Sequence, residues 1–144
     1  MIYGTNFKGL KGKERSFDEI WACVRSLKSH DPRLKQVADL SPSRDLFFHY
    51  LSAKKAGKFD RIWFEEHYIP QFIFEMHSPA ARELLNTLYK ADKCGKRICL
   101  VCFCEDEGLC HRSILAGLLQ GVGCNVHGVK SDYSDYYRVY RTQI

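Results

Sequence analysis

Arg97-Ile98-Cys99-Leu100-Val101-Cys102-Phe103-Cys104, followed after Glu105–Leu109 by Cys110-His111-Arg112-Ser113, is the stretch on which the fold turns. The apolar run is too short for a buried helix and has the length of a central strand covered on both faces. Helical spacing then runs from Cys110 to Gln120 and ends at Gly121 and Gly123. Asn125–Val129 reads as a short strand. Strand, helix and strand in succession predict a right-handed crossover between parallel strands. In an open parallel sheet, ligands bind beyond the carboxyl ends of the strands, where the next helix starts. The corner at Cys110–Ser113 is therefore the candidate site.

Upstream, Ser78-Pro79 is a helix start, with Ser as cap and Pro at the first helical position. Ala81, Leu84, Leu85 and Leu88 follow helical spacing, and Gly95 closes that helix. Asp60 opens a helix over Arg61–Met76, which Pro70 kinks or splits. Its aromatic stripe belongs to the core, while His67 and Tyr68, beside the kink, are candidates to line a pocket. Ser43 caps a helix that ends near Ala56-Gly57. Ser29–Ser41 reads as loop, as does Lys8–Lys13, and Met1–Phe7 begins as a strand. Ser16–Leu27 fits either a capped helix or a buried strand. Ser131 is expected to cap a last helix carrying Tyr133, Tyr136, Tyr137 and Tyr140. These elements give one α/β domain over residues 1–144, a mainly parallel sheet flanked by helices in Rossmann-like layering.

The bulk properties set limits. The chain has 144 residues, 45% hydrophobic and 27% charged, enough for one hydrophobic core. A net charge of +5 permits an anionic partner without demanding one. No stretch reaches the roughly 18–20 apolar residues of a membrane span, and the start lacks a signal-peptide pattern. Seven cysteines without such a signal read as reduced thiols in a cytoplasmic protein.

The chemistry of the corner follows from its residue types. A helix N-terminus offers unpaired N–H groups and about half a positive charge. His111, Arg112 and Ser113 add a switchable donor, a guanidinium fork and a hydroxyl, the groups that hold a phosphate or carboxylate. Glu105, Asp106 and Glu107 work against an anion unless they point away, and could instead pair with Arg112. Cys110, at a helix start beside His111 and Arg112, is a candidate nucleophile. Sequence neighbours on a helix do not face each other, which argues against a direct Cys110–His111 pair. Cys102, Cys104, Cys110 and His111 could in principle hold zinc, but the spacing is not that of a standard knuckle. Packing is the ordinary role of buried cysteines, and no metal or other cofactor is expected.

Cys102 through Ala116 resembles the central signature of the family known as domain of unknown function 488, in which an apolar strand ending in Cys runs through a short loop into Cys-His-Arg. Leu40-Ser41-Pro42-Ser43 is similar to that family's Leu-x-Pro-Ser loop, Ile2-Tyr3-Gly4-Thr5 to its first strand, and Val24-Arg25-Ser26 to a basic motif after its second. The resemblance implies a parallel α/β domain, favours strand for Ile20–Arg25, and supplies no established activity. It matches Cys102, Cys110, His111 and Arg112 to the motif and makes Arg25 their companion across the site. Cys104 departs from it, where an acidic residue is more usual.

Two converging arginines call for an anion between them. The expectation is a phosphate-bearing ligand, foremost a nucleotide or nucleotide derivative. Arg25, Arg112, Ser113 and Cys102 would contact it, with His111 and Cys110 as catalytic candidates if it is hydrolysed or transferred. The alternative is a non-enzymatic nucleotide-sequestering or nucleic-acid-binding module that also uses the tyrosines of the last helix. No membrane partner is expected, and the oligomeric state is not readable.

Overall fold

The computed structural model describes residues 1–27 and 30–143. Five parallel strands form one sheet in the order β3-β2-β4-β1-β5. They are β1 (Ile2–Asn6), β2 (Glu19–Ala22), β3 (Leu34–Gln36), β4 (Ile98–Cys102) and β5 (Val126–His127). Every residue of β4 is buried, as an uninterrupted apolar strand at the centre of a sheet requires. Gly4 pairs with Leu100 on one side of it, and Ala22 with Val101 on the other. β4 and β5 are parallel, but β1 lies between them and pairs with both.

Side chains alternate across the sheet with the period of two expected of strands. Trp21, Ile98 and Leu100 enter the larger core, while Ile20, Ala22, Cys99 and Val101 enter the smaller one. The larger core is completed by helices: α2 (Arg44–Lys55), α4 (Ile69–Glu75), α5 (Pro79–Lys93) and α6 (His111–Gly121). Phe64, Phe72, Leu88 and Leu115 are its fully buried anchors. The ambiguous Ser16–Leu27 is a strand from Glu19, because Trp21 and Ala22 are needed on opposite faces of the sheet.

The caps match their side chains. Ser43 Oγ accepts from Leu46 N at 3.2 Å, and Ser78 Oγ from Ala81 N at 3.2 Å. Gly95 adopts a positive φ of 82°, the left-handed conformation that ends α5. Pro70 does not break its helix. The short helix α3 (Arg61–Trp63) continues through a π-helical turn, Phe64–Tyr68, into α4. The widened turn absorbs the carbonyl partner that proline leaves without an N–H.

Three segments differ from the sequence reading. Residues 8–13 are not all loop: α1 (Phe7–Leu10) is capped by Asn6, whose Oδ1 accepts from Gly9 N at 2.8 Å. Within 29–41, Leu34–Gln36 form the edge strand β3, since Pro32 stands outside the three paired residues. The last helix, α7 (Asp135–Thr142), follows Ser134 rather than Ser131, because Asp132 Oδ1 holds Ser134 N in a turn at 2.8 Å. α7 lies directly on α6. A Cβ on Gly117 would fall 2.1 Å from Tyr133 O, and one on Gly121 would fall 2.1 Å from Tyr137 Cβ. Among the described residues, no helix is long and apolar enough to cross a membrane.

Candidate functional site

The carboxyl ends of β2 and β4 and the start of α6 meet at a cavity of about 620 Å³. Its walls are largely aromatic: Phe47 and Tyr50 from α2, Phe59, Tyr68 from the π-helical turn, and Phe103 after β4. Arg25 and Lys54 are its cations, and Glu105 and Asp106 its acids. Cys104, Cys110 and His111 line its sulfur-rich side.

Arg25 stands three residues beyond β2. Its position is fixed by Nε, which donates to Pro42 O at 2.7 Å, and by Gln36 Nε2, which donates to Arg25 O at 2.6 Å. Edge strand β3 thus braces the Val24–Arg25 turn, and the Ser41-Pro42 loop receives its guanidinium. Lys54 Nζ donates to Tyr50 OH at 3.3 Å. Both arms reach the cavity from opposite stretches of chain.

His111 joins the end of β2 to α6. Nε2 lies 2.8 Å from Cys23 O, so this nitrogen carries hydrogen and donates to the carbonyl. Nδ1 is left facing Cys110 Sγ at 3.5 Å. The contact corrects the expectation that these neighbours cannot pair. Cys110 is the N-cap, with extended φ −138° and ψ 150°, so helical side-chain geometry does not apply to it. Its sulfur turns back over the helix start and accepts from Arg112 N at 3.5 Å.

Cys102 Sγ and Cys110 Sγ are 3.4 Å apart, and both residues are 1% exposed. Arg112 Nη1 donates to Cys102 Sγ and to Cys104 O, each at 3.4 Å. Arg112 is 6% exposed, its Nε has no partner, and no carboxylate ion-pairs with it among the described residues. A buried guanidinium requires a compensating anion, and sulfur is what stands beside it. Hydrogen bonds from the Cys104 and Cys110 thiols, helped by the nearby charges of His111 and Arg112, hold Cys102 far below the usual thiol range, at about 2. The same hydrogen bonding to Cys102 leads the rise of Cys104 to about 12, and burial leads the rise of Cys110. Cys102 therefore holds the negative charge of the cluster, with the Cys110 sulfur 3.4 Å away.

The other predicted residues divide clearly. Arg25, Cys110 and His111 reach the cavity, whereas Arg112 and Cys102 lie behind its wall. Arg25 and Arg112 do not converge on one ligand: Arg25 is exposed and bound to Pro42, while Arg112 is buried against sulfur. Ser113 is fully buried and donates from Oγ to Cys110 O at 2.9 Å, which makes it part of the helix start. Cys104 lies beyond the end of β4 on the cavity wall and meets the cluster through its backbone O, which accepts from Arg112 Nη1 at 3.4 Å. Glu107 serves neither arginine. Its buried Oε2 accepts from Lys130 N at 2.8 Å and Tyr133 OH at 2.7 Å.

The tyrosines of the last segment are occupied in packing. Tyr140 stacks on His77 at 4.0 Å and donates to Met76 O at 3.1 Å, and Tyr136 and Tyr137 pack against the core. Of the two candidates beside Pro70, Tyr68 lines the cavity, whereas His67 is exposed and packs on Trp63. Lys54, Phe47 and Tyr50 were not foreseen. Their spacing of three, four and seven along a capped helix was the available signal.

Cys102, Cys110 and His111 offer three donor atoms within 4.8 Å of one another, close enough to share a metal ion. Two features of the set oppose it. The sulfurs stand closer than the roughly 3.8 Å that two thiolates keep on a tetrahedral zinc with bonds of about 2.3 Å. The Arg112 guanidinium also occupies a neighbouring position on Cys102.

No curated protein and no solved structure matches the chain. The family model that does match covers residues 11–123, from the end of α1 to the end of α6, and so includes β2, β4 and the cysteine cluster. The chain belongs to the DUF488-N3a family, described as the active DUF488-N3 subclade.

Proposed function

We propose that this protein binds a nucleotide or nucleotide derivative in the aromatic-walled cavity and transfers or hydrolyses one of its groups with the cysteine cluster. The observation that carries this reading is a cavity of about 620 Å³ that combines stacking rings, two cations and a charged sulfur cluster. Phe47, Tyr50 and Tyr68 suit a base, since aromatic side chains stack on any nucleobase face. Arg25 and Lys54 suit its phosphate. Glu105 and Asp106 suit hydroxyls, as carboxylates accept from a ribose where they would repel a phosphate.

Of the close sulfur pair Cys102 and Cys110, it is Cys110 that lines the cavity, so it is the nucleophile in this reading. His111 holds it through Nδ1 and is itself anchored by Cys23 O, which makes His111 a positioning residue. Arg112 acts from behind by stabilising negative sulfur. The description of the matched subclade as active agrees with a retained reaction. Seven free cysteines suit a reducing compartment such as the cytoplasm.

Thermal-shift measurement against a panel of mononucleotides, dinucleotides and inorganic phosphate tests the binding. At least one nucleotide is expected to raise Tm, and Arg25→Ala with Lys54→Ala to remove the shift. No shift across the panel overturns the reading. Product analysis of the stabilising nucleotide with wild type and Cys110→Ser tests the reaction. Binding without turnover by either protein identifies a sequestering module instead.

A further inference from the structure

We propose that Cys102 and Cys110 form a dithiol centre that reduces a hydroperoxide and closes to a reversible Cys102–Cys110 disulfide. The inference uses the cluster described above and does not need the nucleotide reading. Three observations carry it. The two sulfurs are 3.4 Å apart, so closing to a bond of about 2.05 Å requires a movement on the order of 1.4 Å. They belong to different elements, the end of β4 and the N-cap of α6, and the loop between them contains Gly108. The buried Arg112, unpartnered at Nε and without a carboxylate, keeps negative charge on this sulfur pair.

The route starts at the cavity, which Cys110 lines and Cys102 does not. The resting charge is on Cys102, and passage of the Cys110 proton to Cys102 across the 3.4 Å contact makes Cys110 the attacking thiolate. In that state Arg112 N–H and the edge of His111 face the Cys110 sulfur. The Cys110 thiolate attacks one oxygen of the hydroperoxide and the O–O bond breaks. The departing oxygen is protonated from water and leaves as water or an alcohol. Cys110 is then a sulfenic acid. The Cys102 sulfur attacks Cys110 Sγ, its own proton goes to the departing hydroxide, and a second water leaves. In sum, one thiolate, one thiol and one hydroperoxide give one disulfide, one water and one hydroxide or alkoxide, which takes its proton from solvent. The oxidant gains the two electrons that the thiols lose.

Cys104 is half-buried and meets the cluster through its backbone O, which accepts from Arg112 Nη1, so it is not the second sulfur of the bridge. Cys94 is the exposed cysteine outside the cluster and provides the control.

The test is a stoichiometric titration of the full-length reduced protein with hydrogen peroxide, read by intact mass and by peptide mapping without reduction. Loss of two hydrogens, a linked Cys102–Cys110 pair and full reversal by dithiothreitol are expected. Cys94→Ser should keep the bridge. Cys110→Ser should leave Cys102 a reduced thiol that a sulfenic-acid trap does not label, because the peroxide-facing sulfur is gone. A bridge to Cys104, oxidation confined to Cys94, or over-oxidation of Cys110 to a sulfinic acid overturns the proposal. The mapping is done on wild type, so misfolding of a variant does not blunt it. It is also independent of ligand: a bridge with no nucleotide shift removes the nucleotide reading alone, and a shift with no bridge removes this one alone.

Discussion

Arg112 Nη1 donates to Cys102 Sγ at 3.4 Å, and that sulfur is the anion beside a guanidinium only 6% exposed. Arginine cannot shed its proton inside a protein, so the proton is missing from its neighbour instead. Arg112→Met keeps the apolar stem and removes the charge. The thiolate ultraviolet absorbance of the reduced protein at neutral pH is expected to fall to that of an ordinary thiol population. An unchanged thiolate signal would place the charge elsewhere.

The pH dependence has a definite sign. Cys102 titrates at about 2 in the folded protein against an ordinary 9.0, so between these values the unfolded chain binds a proton that the folded chain does not. Stability is therefore fully present above the unfolded value and is lost as pH falls, at no more than about 1.4 kcal/mol per pH unit for one proton. Cys104 and Cys110 are raised, so their contribution is present below 9.0 and lost as pH rises beyond it. Urea midpoints measured in reductant are expected to climb from pH 5 toward 9 and then decline. Cys102→Ser should flatten the acid limb while other carboxylate effects persist. A wild-type profile with no rise contradicts the thiolate.

Several parts of this arrangement were readable in the sequence. Apolar β4, the Ser43 and Ser78 caps, and the Cys110 helix start each rest on a local rule, and local rules survive folding. Others were not. The helical rule about adjacent residues misled because Cys110 sits at the N-cap, where the backbone is still extended. The resemblance makes Arg25 and Arg112 companions across one site, yet Arg112 lies outside the cavity lining and donates to Cys102 sulfur. The aromatic cavity wall brings α2 to the same cavity as the residues that follow β2, a juxtaposition of distant segments that no local pattern records.

The cavity cations give a graded expectation. A charge-assisted hydrogen bond is worth about 1.5–3 kcal/mol, so Arg25→Ala or Lys54→Ala alone should weaken nucleotide binding roughly ten- to hundredfold. The loss should shrink as salt rises, because both groups are exposed. Isothermal titration at two salt concentrations checks it. Equal affinity in both variants and wild type would move the phosphate elsewhere.

Metal removal separates two uses of the same sulfurs. Prolonged dialysis against a chelator is expected to leave Tm and the number of titratable thiols unchanged. Elemental analysis should find less than about a tenth of an equivalent of zinc, a fraction too small for a site of three strong ligands. Stoichiometric zinc would replace the thiolate account of Cys102.

The contact between α6 and α7 makes a prediction in which two effects oppose. Gly121→Ala raises intrinsic helix propensity by about 0.8–1 kcal/mol. The added methyl falls 2.1 Å from Tyr137 Cβ, however, and overpacking costs typically 1–3 kcal/mol. Net destabilisation is expected, seen as a lower urea midpoint. Gly117→Ala should behave alike, since its methyl meets Tyr133 O, a backbone atom with little freedom to yield.

That contact also bears on the chemistry at the far end of the same helix. The family match stops at residue 123, so the segment pressed against Gly117 and Gly121 lies outside it. Tyr133, where this segment begins, also grips Glu107 in the loop that delivers Cys110. The terminal tyrosines thus work as a brace with two feet, one on the body of α6 and one on the approach to its first turn. Whatever loosens the brace alters how firmly Cys110 is held at the start of α6, from a part of the chain that lies outside the family match.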